Sequence, residues 1–161
     1  MNLSTRGRYA TRAMLQMALH YEDGPQSSAV ISQSQEISAS YLQQLLGTLK
    51  RAGLVRVVIG PGGGFTLARP PAEIPISAIL EAVEGKLALV ECVRDSSCCA
   101  RAADCLSREL WVEANELLNG YFSSHTLASV LARCREGLIA ERPPAPLAAP
   151  RCVRKRKQRQ A

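Results

Sequence analysis

The feature that most constrains this chain is a short one. A β-branched run, Leu54-Val55-Arg56-Val57-Val58-Ile59, is followed by Gly60-Pro61-Gly62-Gly63-Gly64 and then by Phe65-Thr66-Leu67-Ala68. No helix passes through such a turn, and β-formers on both sides of glycine and proline predict a two-stranded hairpin. Everything before it reads as helix. In residues 6–19, Ala10, Ala13, Met14, Met17 and Ala18 fall at i, i+3, i+4, i+7 and i+8, with Ser4 or Thr5 as N-cap. Gly24-Pro25 breaks that helix, and Ser27-Ser28 opens a short second one through Ala29–Gln35. After a tight turn at Glu36-Ile37-Ser38, Ser38-Ala39-Ser40 opens a third helix. It carries Leu42, Leu45, Leu46 and Leu49 on one face and ends at Ala52-Gly53.

The opposite face of the third helix is polar without being acidic: Ser40, Gln43, Gln44 and Lys50, with Tyr41 beside them. Three helices followed by a glycine-tipped hairpin predict a mainly α fold with a small β-hairpin, a winged helix-turn-helix whose third helix lies in the major groove of DNA. Gln44 can bond an adenine edge with both amide atoms, and Ser38, Ser40, Tyr41 and Gln43 are near enough to assist. The basic residues of the first helix, Arg8 with Arg6 and Arg12, Arg56 at the base of the wing, and Gly62 and Gly63 at its tip, where the main chain can approach closely, are the candidate phosphate contacts. A nucleotide-binding loop is the other reading of the glycines. The spacing opposes it, since there is no G-x-x-x-x-G-K-[ST] and a strand follows rather than a helix.

Charge is unevenly spread. Residues 1–70 hold seven basic side chains against three acidic, residues 71–150 seven against eleven, and the last eleven residues six against none, within a net +6. A basic front suits a polyanion while the acidic middle does something else. At 161 residues the chain has room for one core and an appendage. No apolar run approaches the roughly 20 residues that cross a bilayer, and no export signal opens the chain, so a cytoplasmic protein without membrane contact is expected.

After Pro70-Pro71, the apolar residues Ile76, Ile79, Leu80 and Val83 predict a short helix closed by Gly85. From Leu106 to Leu131 the chain favours helix, with Leu110, Ala114, Leu117 and Tyr121 at coiled-coil steps, which implies a partner helix and a homodimer. The expected organisation is a DNA-binding domain over 1–85, a cysteine-containing loop over 86–106, a long dimerisation helix over 107–135 and a disordered basic tail over 136–161.

Four of the six cysteines, Cys92, Cys98, Cys99 and Cys105, fall within fourteen residues, with five-residue gaps from Cys92 to Cys98 and from Cys99 to Cys105. Structural zinc favours C-x₂₋₄-C knuckles, which are absent; thiolates on an open loop suit an iron–sulfur cluster better. The equal gaps leave Cys98 and Cys99 equivalent by spacing. Cys134 and Cys152 receive no role. A cysteine enzyme is a poor fit, because His20 and His125 are the only imidazoles and neither lies in a nucleophile motif.

Thr5-Arg6-Gly7-Arg8-Tyr9-Ala10, Ile37-Ser38-Ala39-Ser40-Tyr41-Leu42-Gln43-Gln44-Leu45-Leu46, Gly53-Leu54-Val55, Gly60-Pro61-Gly62-Gly63-Gly64-Phe65, Glu84-Gly85 and Cys105-Leu106-x-x-x-Leu110-Trp111 resemble the bacterial IscR/NsrR-type regulators, in order, from residue 1 to about 133. The resemblance implies a dimeric winged-helix transcription factor, a repressor in the first reading. It also implies an iron–sulfur cluster on three cysteines, 2Fe-2S by preference with 4Fe-4S the other fit; the family's five-residue gap before the last cysteine selects Cys99, counting forward from Cys92 selects Cys98, and an insertion absorbed in the polar Asp95-Ser96-Ser97 favours Cys99. Three departures stand out. Arg108 occupies the place of a histidine ligand in the cluster-assembly branch, and Ile59 and Gln43 replace an arginine and a glutamate. The fourth ligand therefore stays open among the spare thiol of Cys98 and Cys99, a side chain of the other subunit and a small molecule. The alternative to a cluster sensor is a cofactor-free regulator of the same fold that senses oxidants through these thiols.

Overall fold

The structure is a computed structural model that describes residues 3–135; the expected basic tail, with Cys152, lies outside the described residues. Helix α1, Thr5–Leu19, is capped by Ser4, whose hydroxyl accepts from the N–H of Arg6 at 3.0 Å and of Gly7 at 3.4 Å. Its small-residue stripe, Ala10, Ala13, Met14, Met17 and Ala18, is buried, and the helix stops at Leu19, ahead of Gly24-Pro25. Ser27 caps α2, Ser28–Gln35, by accepting from the Val30 N–H at 3.3 Å. Glu36 then takes a left-handed conformation at φ 54° and turns the chain into α3, Ala39–Arg51, whose Leu42, Leu45, Leu46 and Leu49 enter the core.

Strands β1, Val55–Val58, and β2, Gly64–Leu67, pair antiparallel from Val55 opposite Leu67 to Val58 opposite Gly64. Gln26 docks the hairpin: its N–H donates to Phe65 O at 2.9 Å and its carbonyl accepts the Phe65 N–H at 2.7 Å. A β-carbon on Gly64 would lie 2.3 Å from Gln26 O, so glycine is required for that approach.

A 3₁₀ turn, Pro71–Glu73, leads to α4, Ile76–Glu84, which buries Ile76, Ile79, Leu80 and Val83 against α1 and ends at Gly85 with φ 80°. Glu84 reaches back to the start of α1. Its Oε1 accepts the Gly7 N–H at 2.9 Å and the Ser4 hydroxyl, placing a carboxylate at a helix N-terminus.

Beyond it come α5, Glu91–Arg94, a 3₁₀ turn at Ser96–Cys98, α6, Arg108–Ser124, and α7, Leu127–Arg135. The stretch expected as one helix is thus two, and Leu106, 99% exposed, precedes the first of them. Backbone competition explains the break. His125 O accepts the Ile76 N–H at 2.8 Å and the Leu127 N–H donates to Ile74 O at 3.0 Å, a bridge that stops α6. Thr126 and Ser129 then cap α7 reciprocally, each side chain bonding the other's N–H, at 3.2 and 2.9 Å. Leu127 is fully buried, so α7 turns back onto the helix-turn-helix instead of prolonging α6.

A β-carbon at Gly7 would stand 2.7 Å from Glu84 Oε1 and 3.2 Å from Leu80 Cδ2, whereas one at Gly47, within α3, meets nothing within 4 Å. Thermal unfolding should show Gly7→Ala destabilised by about 1–3 kcal/mol, and Gly47→Ala stabilised by about 0.5–1 kcal/mol.

Candidate nucleic-acid interface and cysteine loop

The outer face of α3 presents Ser38, Ser40, Gln43 and Gln44, all exposed, while Tyr41 is half-buried edge-on to Tyr9, ring centroids 6.0 Å apart. Gln43 Nε2 donates to Ser28 Oγ at 2.9 Å and so ties this face to the start of α2. Gln44 opens onto a concavity of about 610 Å³ shared with Arg6, Tyr41, Thr48 and Arg51. At its edge Thr48 Oγ1 accepts from Arg6 Nη2 at 3.5 Å and Arg51 Nη2 at 3.1 Å, and donates to Gln44 O at 3.1 Å. Two guanidiniums from different helices therefore converge beside Gln44, an arrangement suited to a phosphate at the rim of a groove.

The sequence reading missed Thr48 and Arg51 as members of this face. They follow Gln44 at i+4 and i+7, so helical periodicity could have found them; Arg6 depends on the packing of α1. Arg8 is exposed on α1, its guanidinium on the Thr5 hydroxyl at 3.2 Å, and is not among the residues of this concavity. Arg12, expected with the other basic residues of the first helix to meet phosphate, is instead engaged within the fold: it bonds the Gln35 carbonyl and, at 3.2 Å, Gln35 Oε1, and stacks over Tyr9.

In the wing, Arg56 is exposed on β1 across from the buried Thr66. The two tip glycines differ. A β-carbon on Gly63 would meet Val58 O at 2.3 Å, so the hairpin itself demands glycine there. Gly62 has φ 77° with open space around it, leaving its backbone free for a close approach. Ile59, 95% exposed, stands where β1 enters the wing's tip, with no charge of its own.

Cys92, Cys98, Cys99 and Cys105 are free thiols on the segment joining α4 to α6, Cys98 exposed and the others half-buried. Asp95 shapes the middle of it, accepting from the Ser97 N–H at 2.9 Å and the Ser97 hydroxyl at 2.7 Å, which hold its carboxyl below the usual range. Loss of solvent, then the negative charge of Cys92, Asp95, Glu91 and Cys99, pushes the Cys98 thiol up. The Cys105 thiol is pulled down by the Ser107 hydroxyl, 3.3 Å away, and by backbone N–H groups. Among the described residues, no three Cys, His, Asp or Glu side chains are gathered closely enough to hold a metal ion. The donor set fits an iron–sulfur group in kind, four soft thiols on one exposed segment, and binding would draw three of them together. Arg108, half-buried with its Nε unpartnered among the described residues, offers no ligand atom.

The base of this segment is fastened to α6 by two amides one turn apart. Asn115 Oδ1 accepts the Leu89 N–H at 3.0 Å, and Asn119 Nδ2 donates to Leu87 O at 3.5 Å. Neither asparagine was legible as functional, because only the fold brings residue 89 to residue 115. Along the outside of α6, Leu110, Trp111, Leu117 and Tyr121 are exposed and Ala114 is half-buried, an apolar stripe on a helix whose other side packs on α4 and α5.

The sequence model of Rrf2, described as an iron-dependent transcriptional regulator, matches residues 3–133. The chain belongs to the Rrf2 family. An HTH-type transcriptional regulator of Neisseria meningitidis is 42% identical over 137 residues, covering 85% of this chain and 92% of that protein. The solved structure of T. potens IscR superposes with TM-score 0.72 at 31% identity, covering 88% of this chain and 93% of that one. CymR, the global cysteine regulator of B. subtilis, superposes with TM-score 0.70 at 32% identity, covering 82% and 97%. The family resemblance and the winged-helix fold are thereby established, and with them membership among transcriptional regulators. No helix among the described residues is long and apolar enough to cross a membrane.

Thiolate character and exposure rank Cys98 and Cys105 oppositely, since the more exposed Cys98 has its thiol raised and Cys105 has its lowered. In reduced, metal-free protein near pH 7.5, peptide mass spectrometry should find iodoacetamide on Cys105 before Cys98. The difference should fade as pH rises past both thiols, because both are then thiolate.

Proposed function

We propose that this chain is a cytoplasmic, homodimeric DNA-binding regulator, a repressor, whose operator affinity is set by an iron–sulfur cluster held by Cys92, by Cys98 or Cys99, and by Cys105. The observation that carries this reading is positional: the cysteine segment leaves α4 at Gly85, is clipped to α6 by Asn115 and Asn119, and ends where the exposed apolar stripe of α6 begins. It is the joint between the reading head and the face proposed to pair. A cluster, 2Fe-2S by preference or 4Fe-4S, supplies one-electron redox chemistry and reactivity toward oxidants and nitric oxide when bound.

The chain's own residues do the coupling. Cys92 and Cys105 would hold the group at either end of the segment between α4 and α6, and Asn115 and Asn119, which clip that segment to α6, would pass the constraint to the tilt of the helix. In a dimer, that tilt sets the separation of two copies of α3, which must match half-sites about 34–36 Å apart. A coupling of about 1–3 kcal/mol changes affinity roughly 5- to 150-fold. On DNA, Gln44 reads a base edge with Ser38, Ser40, Tyr41 and Gln43 in support, while Arg8, Arg56, Gly62 and Gly63 contact the backbone, joined by Arg6 and Arg51. Gln43 brings no carboxylate toward the phosphates, so discrimination between operators by charge repulsion is not built into this helix.

The second reading, a cofactor-free thiol switch, is favoured by the adjacent free thiols of Cys98 and Cys99 and by the likeness to a cysteine regulator. Iron and acid-labile sulfide, assayed without oxygen, separate the two. Cys92→Ala, Cys99→Ala and Cys105→Ala should yield apo protein, Cys98→Ala a milder loss, and Cys134→Ala no change; full retention in the Cys92 and Cys105 variants rejects the cluster. On DNA, Gln44→Ala should cost about 1–3 kcal/mol at one base position, whereas Arg56→Ala should weaken all sequences alike and reduce the salt slope by about one phosphate.

A further inference from the structure

Under the cysteine segment lies a separate cavity of about 290 Å³, walled by Glu81 of α4, Lys86, Val93 and Arg94 of α5, and Asn115 and Asn119 of α6. We propose that it is a binding site for a free α-amino acid with a small side chain. Its chemistry is set by the two asparagines. Because Asn115 Oδ1 is committed to the Leu89 N–H and Asn119 Nδ2 to Leu87 O, the amide orientations are fixed by backbone partners. Each amide keeps one group without a partner among the described residues, a donor on Asn115, whose side chain is only 9% exposed, and an acceptor on Asn119. Both groups are still reached by solvent, so a polar ligand in the cavity takes the place of water on them and finds their orientation already set.

Charge narrows the ligand. Lys86 and Arg94 are cationic, Glu81 is anionic, and Glu91 already pairs with Arg94, so the lining carries both signs and is close to neutral overall. A phosphate ester or dicarboxylate would bring more negative charge than this lining balances. A zwitterion matches it: its carboxylate meets Lys86, Arg94 and the Asn115 N–H, and its ammonium meets Glu81 and the Asn119 carbonyl. The volume, at the small end for ligand sites of about 300–1,000 Å³, admits a small metabolite and not a nucleotide. The site rests partly on the regulatory reading, because its walls are the elements whose relative tilt that reading invokes. A ligand touching α4, α5 and α6 at once would brace them.

Calorimetry on the full-length protein, prepared without oxygen, tests the site with the twenty standard L-amino acids, and with propionate and ethylamine as half-ligands. Binding of at least one small amino acid, one per chain, at a Kd below about 1 mM is expected, with both half-ligands weaker by tenfold or more. Glu81→Gln and Lys86→Met, neither of which touches the Leu87 or Leu89 clips, should each weaken binding about tenfold, or about 1.4 kcal/mol. Absence of binding by all twenty, equal binding of propionate, or indifference to both substitutions overturns the proposal. Operator affinity measured on the same samples keeps the two readings apart: amino-acid binding without operator binding sinks the regulator, and the converse sinks only this site.

Discussion

The carboxylate of Glu84 at the N-terminus of α1 is the interaction on which the rest of the molecule hangs. It accepts from Gly7 N–H and Ser4 Oγ, at the end of a helix where backbone donors otherwise lack partners. A partly buried charge so placed contributes up to about 2 kcal/mol. More important is what it aligns. It sets the end of α4 against the start of α1, and Gly7 is the residue that lets it approach. Gly85 then turns the chain outward, so the direction in which the cysteine segment leaves the reading head is fixed by the same contact.

A second constraint closes the head from the other side. The backbone bridge of Pro75 and Thr126, with Leu127 buried behind it, returns α7 to α1 and the 3₁₀ turn at Pro71–Glu73. Helices α1 to α4, the hairpin and α7 therefore share one core. Regulation in such an architecture has few places to act. The reading face of α3 is buried on its Leu42, Leu45, Leu46 and Leu49 side, and a core packed this closely does not deform gradually. Under the proposed function, the part left to change orientation is α6 together with the segment from Lys86 to Ser107.

Much of this was legible in the sequence, and what was not has identifiable causes. Local signals were reliable where a few adjacent residues decide the outcome: Ser27 as a cap, Glu36 as a turn, Gly60 to Gly64 as a hairpin tip, and the leucine stripe of α3. The helix from Leu106 to Leu131 was misread as continuous because its residues all favour helix. The break at His125 comes from Ile74 and Ile76, some fifty residues earlier, competing for its backbone. The polar face of α3 was legible in its residues, and Arg6 was grouped with the other basic residues of the first helix as a phosphate contact, but its place beside Thr48 depends on how α1 crosses α3. The cysteines announced themselves by type and spacing. The asparagines that anchor their segment did not, for an Asn on a helix surface is ordinary until a distant N–H is seen to need it.

Asn115 also shows how little energy the joint requires. Its bond to the Leu89 N–H lies largely out of solvent, and leaving such a donor unpaired costs about 1–3 kcal/mol. That equals the coupling by which one site commonly alters another's affinity. A change that pulled residues 87–89 from α6 by one ångström or so would stretch this bond past useful length and collect most of that energy, with no rearrangement of the core. Under the proposed coupling this is economical, because the polar groups are few and Asn115 is buried. Had the segment been fastened to α6 by exposed ion pairs such as that of Glu91 and Arg94, each worth less than about 1 kcal/mol, solvent and salt would absorb most of any signal passed from the cysteines to the helix.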